Sequence, residues 1–249
     1  MTRWTDHNDT ERMVMLQQAA DAEGLPEYAV EKDWWVTMVL KAIFQTSMAE
    51  WLEFKGGTSL SKGWRLIDRF SEDIDLALSY RFVSCLSMDE PFEVKEFGTM
   101  ISSVFPDDDE DAMVSIPTVL PSRTFLEKAF LLCEEFQKPQ PRSLRMSRHL
   151  YDLERLMDTE FGKAALEDDE LYGKIVEHRR KFYHVGYADY DKDYRERISF
   201  LPPESCIEAW RADYDELLMH FVYGNKLSFD ELLERVSELN RRFNGGDYK

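Results

Sequence analysis

Residues 52–78 constrain this chain more than any other stretch. Leu52-Glu53-Phe54-Lys55 alternates apolar and polar side chains and runs straight into Gly56-Gly57, as a short strand entering a tight turn does. Thr58 and Ser59 then open a brief helix with Leu60, Trp64 and Ile67 on one side. Asp73-Ile74-Asp75-Leu76-Ala77-Leu78 alternates again. The period of two puts Asp73, Asp75 and Ala77 on one face and Ile74, Leu76 and Leu78 on the other. The aliphatic face can bury against helices, and the opposite face presents two carboxylates. If the two strands are neighbours, the glycine turn and the aspartate pair share one edge of a sheet.

That edge has a chemistry. Two adjacent glycines let backbone approach a ligand closely, and amides at a helix start suit an anion. An ordinary strand-to-helix turn with a hydroxyl N-cap accounts for the same residues equally well. Two neighbouring carboxylates repel one another, and a hard cation relieves the repulsion while gaining oxygen ligands. An Asp-x-Asp on a strand is common in isolation. Its order here, strand, Gly-Gly-Thr-Ser, helix, then Asp-x-Asp, points to phosphate and Mg²⁺ handled together.

The pattern predicts an α+β chain: a small mixed sheet flanked by helices, followed by a helical C-terminal half. The expected division is 1–121 and 122–249, near Pro121. Residues 31–44 read as a helix burying Trp35, Val36, Val39, Leu40, Ile43 and Phe44. Arg81–Leu86 and Met113–Leu120 read as further strands, Pro117 placing the latter at an edge. Thr124-Phe125-Leu126-Glu127 fits a capping box ahead of a buried stripe Phe125, Ala129, Cys133, Phe136. Ser147 can cap a helix with Leu150, Leu153, Leu156 and Met157 inward. Residues 165–184 and 204–243 carry helical periodicity, the second broken near Tyr223-Gly224-Asn225.

Composition bounds the rest. With 249 residues, 43% of them hydrophobic, the chain can build a real core. No apolar run is long enough to cross a bilayer, and the N-terminus lacks a signal-peptide layout. Cys85, Cys133 and Cys206 are far apart with no CxxC, which points to reduced thiols in a cytoplasm. His7, His149, His178, His184 and His220 form no zinc-ligand pair. There is no GxGxxG, no Walker lysine motif and no GxSxG elbow around Ser59 or Ser61. The formal charge of −18 disfavours general attraction to nucleic acid. The basic stretches 142–148 and 178–181 are either solvated helix faces or a local nucleic-acid surface. The run Asp107–Asp111 reads as a solvated loop.

Phe54-Lys55-Gly56-Gly57-Thr58-Ser59-Leu60-Ser61-Lys62, with Arg69-Phe70-Ser71-Glu72-Asp73-Ile74-Asp75-Leu76, resembles the AbiEii-type nucleotidyltransferase toxins of the DNA polymerase β-like superfamily. The likeness extends to Glu31-Lys32-Asp33-Trp34-Trp35, to Arg123–Ala129 and to Ser147–Leu153, and more weakly to about residue 245. The resemblance implies a type IV toxin–antitoxin enzyme that transfers NMP from an NTP to an acceptor hydroxyl. That acceptor is RNA, a tRNA end, and an antitoxin is the expected partner. Two Mg²⁺ ions are implied, for which Mn²⁺ could substitute. Gly56, Gly57, Thr58 and Ser59 would hold phosphate. Asp73 and Asp75 would bind metal. Lys128 and Arg123 would neutralise the triphosphate, and Asp152 would complete the catalytic set with Asp73, Asp75 and Lys128.

On residue chemistry alone, Lys128 reads as a solvated lysine and Asp152 as a surface pair with Arg148. The third carboxylate usual in this superfamily is not evident between Leu78 and Leu120, where Glu93, Glu96 and the acidic run Asp107–Asp111 are candidates. Asp152 would therefore either complete the metal site or act as general base. Ser71 is close enough to Asp73 that phosphorylation there would repel triphosphate; a turn serine is the alternative. A small-molecule or protein acceptor, or a non-catalytic nucleotide-binding relative, fits the same core.

Overall fold

The computed structural model describes residues 3–78, 91–109, 112–183, 186, 188, 190 and 194–245. The expected strand Arg81–Leu86, Cys85, Glu110, Asp111 and His184 lie outside the described residues. The chain divides into two compact units, Met1–Val119 and Leu120–Lys249. None of the helices described is long and apolar enough to cross a membrane.

The first unit contains α1 (Asp9–Glu23), α2 (Glu27–Phe44), β1 (Leu52–Lys55), α3 (Gly56–Thr58), β2 (Asp75–Leu78), β3 (Phe92–Phe97), α4 (Met100–Val104) and β4 (Val114–Val119). A π-helical stretch, Ser59–Gly63, continues α3. The sheet order is β2-β1-β4-β3, with β1 antiparallel to β2 and parallel to β4, and β3 antiparallel to β4. The sheet is therefore mixed, as expected.

One face of the sheet is apolar. Phe54, Phe97, Val114 and Ile116 pack there with Val36 and Leu40 of α2, and Ile74 and Leu76 join them. Each such side chain taken out of water contributes about 1.5–3 kcal/mol. A second cluster, Trp4, Met15, Ala19, Ala20, Val30, Trp34 and Ile101, joins α1, α2 and α4.

Several expectations are corrected here. The buried face of α2 is rotated from the expected one. Ala29, Val30, Asp33, Trp34, Val36, Thr37 and Leu40 are buried, whereas Trp35 and Val39 are exposed. The helix packs on α1 and α4 as well as the sheet, so the covered surface is wider than one stripe. The helix after Ser59 ends at Gly63, leaving Trp64 as its cap and Ile67 buried in the following loop. β4 is internal rather than an edge strand. Pro117 is tolerated there because the parallel ladder to β1 is short, paired at Phe54↔Thr118. Asp109, assigned to a solvated loop, is 2% exposed. Its Oδ1 accepts from the Trp4 amide (3.2 Å) and Trp34 Nε1 (3.1 Å), and its Oδ2 from Thr99 Oγ1 (2.7 Å). It tethers the N-terminal segment to α2 and α4.

The second unit is helical: α5 (Pro121–Phe136), α6 (Ser147–Met157), α7 (Glu160–Glu167), α8 (Asp169–Phe182), α9 (Tyr194–Arg197), α10 (Ile207–His220) and α11 (Phe229–Phe243). α5 packs on α6, α7 and α8, and α6 on α10 and α11. Asn240 of α11 holds the loop that follows α9, accepting from the Phe200 amide and donating to Ile198 O, both at 3.0 Å.

Three local expectations give way. α5 begins at Pro121 with Leu120 as its N-cap, so Thr124 is inside the first turn. Glu127 pairs with Arg123 instead of closing a capping box. Ser147 is the first helical residue of α6, not its cap. The cap is supplied from α10 by Asp213, which accepts from Arg145 N (2.5 Å), Ser147 N (2.9 Å) and Ser147 Oγ (2.5 Å). The 165–184 periodicity belongs to two helices, because Asp168 breaks the chain and caps α8 through Leu171 N.

Candidate active site

The register of β1 against β2 builds the site in the first unit. Lys55 pairs with Asp75 and Glu53 with Ala77, so Glu53, Lys55 and Asp75 share the sheet face opposite the apolar one. Asp75 thus stands beside the exit of β1 into the glycine turn. Gly56 has φ +83°, a left-handed conformation that favours glycine. A Cβ there would lie 2.7 Å from Asp75 Cγ, overlapping the carboxylate. Gly57 is crowded from the other side, where a Cβ would come within 2.7 Å of Arg69 Nη2 and 3.0 Å of Ser71 Oγ. Both glycines are needed for space, and the space is filled by Asp75, Arg69 and Ser71.

Asp73 precedes β2 and is joined to the turn through its backbone. Thr58 Oγ1 donates to Asp73 O at 2.5 Å, and Ser59 Oγ donates to Gly56 O at 2.9 Å. Thr58 and Ser59 are fully buried. Their hydroxyls therefore brace the turn against the entry to β2. The Ser59 amide also donates to Gly56 O, so Ser59, expected to hold phosphate, closes the turn instead, and the amides left for an anion are those of Gly57 and Thr58. Asp73 and Asp75 are exposed, as ligands of an exchangeable cation should be.

Among the described residues no group of three or more His, Cys, Asp or Glu side chains is gathered to hold a metal. Glu93 and Glu96, considered for a third carboxylate, lie on β3 at the opposite edge of the sheet from β2. Three strand spacings, about 14 Å, separate them from Asp75, and Glu93 pairs with Lys95 at 2.8 Å. The pair Asp73/Asp75 still fits Mg²⁺, which is commonly bound by one or two carboxylates together with substrate phosphates and water.

Sequence reasoning passed over three side chains around the turn. Glu53 is 4% exposed on the face of Asp75, and the alternation of 52–55 could have placed it there. Arg69 is buried against Gly57. Asp33 is buried in an ion pair with Lys62 of the π-helical stretch. No local pattern pairs residues 29 apart, so that contact had no sequence signal beyond the family likeness at Asp33.

The remaining assigned residues belong to the second unit. Lys128 Nζ lies 2.8 Å from Asp152 Oδ2, both side chains buried and Asp152 wholly so. Lys128 is thus not a solvated lysine, and Asp152 is not half of a surface pair with Arg148. Arg123 is 2% exposed and pairs with Glu127, at 3.1 Å through Nε and 3.0 Å through Nη2.

The basic stretches are partly occupied by internal pairs. Arg142 pairs with Glu135 at 2.8 Å. Arg179 is buried and bidentate to Glu134, at 2.7 and 2.9 Å, and Arg180 donates to Tyr190 O. Burial pushes the Glu135 carboxyl up, but hydrogen bonds from the Arg142 side chain and amide and from Lys138 outweigh it and hold the group at about 2.

Neither the curated proteins nor the solved structures gave a match to this chain. The family model described as nucleotidyl transferase AbiEii toxin, type IV toxin–antitoxin system, matches residues 39–97 and 82–235. Those matches take in the glycine turn, the Asp73-Ile74-Asp75 segment, of which only Asp75 lies in β2 rather than both aspartates as expected, Arg123, Lys128 and Asp152. The chain belongs to the AbiEii nucleotidyltransferase toxin family.

Proposed function

We propose that the protein transfers a nucleoside monophosphate from an NTP to an acceptor hydroxyl, as the toxin of a type IV toxin–antitoxin pair. The observation that carries this is the seating of the Asp75 carboxylate against Gly56, with Thr58 bonded to the Asp73 carbonyl. Turn and aspartates are one local structure. Family membership supports nucleotidyl transfer in general. RNA as acceptor, a tRNA end in particular, rests on the likeness of residues 54–62 and 69–76 to such toxins.

The amides of Gly57 and Thr58, opened by Gly56 and held by the Ser59 amide closing on Gly56 O, hold phosphate oxygens. Asp73 and Asp75 hold Mg²⁺, which when bound supplies charge neutralisation at the phosphates. The acceptor oxygen bonds to the α-phosphorus, the bond from that phosphorus to the bridging oxygen breaks, and pyrophosphate leaves with the electron pair. Lys128 and Arg123 are the proposed cations for the triphosphate. Asp152 is the proposed further carboxylate, taking the hydroxyl proton as general base or completing the metal's ligands.

The test is purified protein with each labelled NTP, Mg²⁺ and total tRNA. Label should enter tRNA with one NTP, and Asp73→Ala should reduce transfer at least about a hundredfold. Label on a protein or small molecule instead would replace the acceptor. NTP binding with no transfer to any acceptor would remove the enzymatic reading.

A further inference from the structure

The segment that follows the glycine turn is wound more widely than an α-helix. Trp64 N donates to Ser59 O at 3.0 Å, an i→i+5 bond, and Leu66 N donates to Leu60 O at 2.9 Å. Arg65 then takes φ +54°, a left-handed conformation at a residue other than glycine. Such windings and dihedrals persist only where surrounding contacts impose them.

Two anchors do so, one on each flank. Lys62 is ion-paired with Asp33 of α2, with 10% and 2% of the side chains exposed. The second carboxylate oxygen of Asp33 accepts the Met100 amide at 2.8 Å, which fixes the carboxylate against α4. On the other flank Trp64 Nε1 donates to Val119 O at 2.9 Å, and Lys95 Nζ sits 3.8 Å above the Trp64 ring. The π-helical stretch that these anchors hold begins at Ser59, whose amide closes the proposed phosphate turn by donating to Gly56 O.

We propose that Asp33, acting through Lys62, is a positioning residue that holds the π-helical stretch so that the amides of Gly57 and Thr58 face the triphosphate. This rests on the nucleotide-binding reading of the turn. A lysine directly after a phosphate turn invites assignment to the phosphate itself. The structure turns Lys62 away, into α2, and makes its charge part of the scaffold.

The test separates scaffold strength from turn geometry. Lys62→Met alone buries an unmatched Asp33 charge and should lower the thermal midpoint by about 10 °C. Asp33→Asn combined with Lys62→Met removes both charges and should regain most of that loss. The double variant should nonetheless bind NTP about tenfold more weakly and raise the KM for NTP more than it lowers kcat. Trp64→Phe deletes only the indole donor on the other flank. It should shift KM in the same direction with a small change in midpoint, and it answers the question if the double variant does not fold.

Wild-type NTP affinity and KM in the folded double variant, or in Trp64→Phe should the double variant not fold, would overturn the positioning role alone. Failure of the wild-type protein to bind any NTP would overturn the nucleotide reading, and this role with it.

Discussion

At the residue scale, two glycines decide how closely backbone and carboxylate approach. Gly56 combines φ +83° with a side-chain space already taken by Asp75. Alanine there must bear left-handed strain, about 1–2 kcal/mol, and also displace the carboxylate. Asp75 is a side chain and can rotate away, so the fold should survive while the proposed metal ligand is lost. Gly56→Ala is therefore expected to lower stability by about 1–2 kcal/mol and to reduce nucleotide transfer by more than the folded fraction explains, about tenfold or greater. Chemical denaturation and transfer rate measured on the same preparation check this. A variant that is strained but fully active would show that Asp75 need not stand against the turn.

At the element scale, α5 and α6 are joined by the buried pair Lys128 and Asp152. Removing one partner leaves the other charged and enclosed, so Lys128→Met should cost about 3–5 kcal/mol. Replacing both, as Lys128→Met with Asp152→Leu, should return most of it, and urea unfolding of the three variants measures the cycle. A cost under about 1 kcal/mol for Lys128→Met would show that the pair is not enclosed as described. Activity lost on changing Lys128 alone therefore needs its stability beside it before a catalytic role is read from it. The same elements show what a sequence discloses. β1, the glycine turn and β2 were legible because strand alternation and Gly-Gly are local signals. The burial of Lys128 was not, because its partner comes from the next helix. The helix ends were misread where the cap comes from elsewhere in the unit: Asp213 serves α6 from α10, and Pro121 starts α5 ahead of Thr124. The rotated face of α2 has the same origin, since Asp33 and Trp34 are drawn inward by Lys62 and Asp109. Glu93 and Glu96 were sensible candidates until the strand order put two strands between them and Asp75.

At the scale of the whole molecule, a net charge of −18 sets how a polyanionic acceptor can be held. The basic stretches do not offset it simply. Arg179 is buried against Glu134, Arg142 pairs with Glu135, and Arg180 donates to Tyr190 O. Each phosphate neutralised by a cation adds about −0.7 to the slope of log affinity against log salt for a single strand. With Arg179 buried and Arg142 and Arg180 already bonded to protein groups, an RNA acceptor should touch only a few cations of these stretches. The apparent affinity for tRNA should follow salt with a slope shallower than about −2, in a KCl series of binding measurements with NTP present. Recognition would then lie in the acceptor end and its approach to the nucleotide, not in the length of backbone gripped. A slope near −6 would instead require an extended basic track and would overturn this reading.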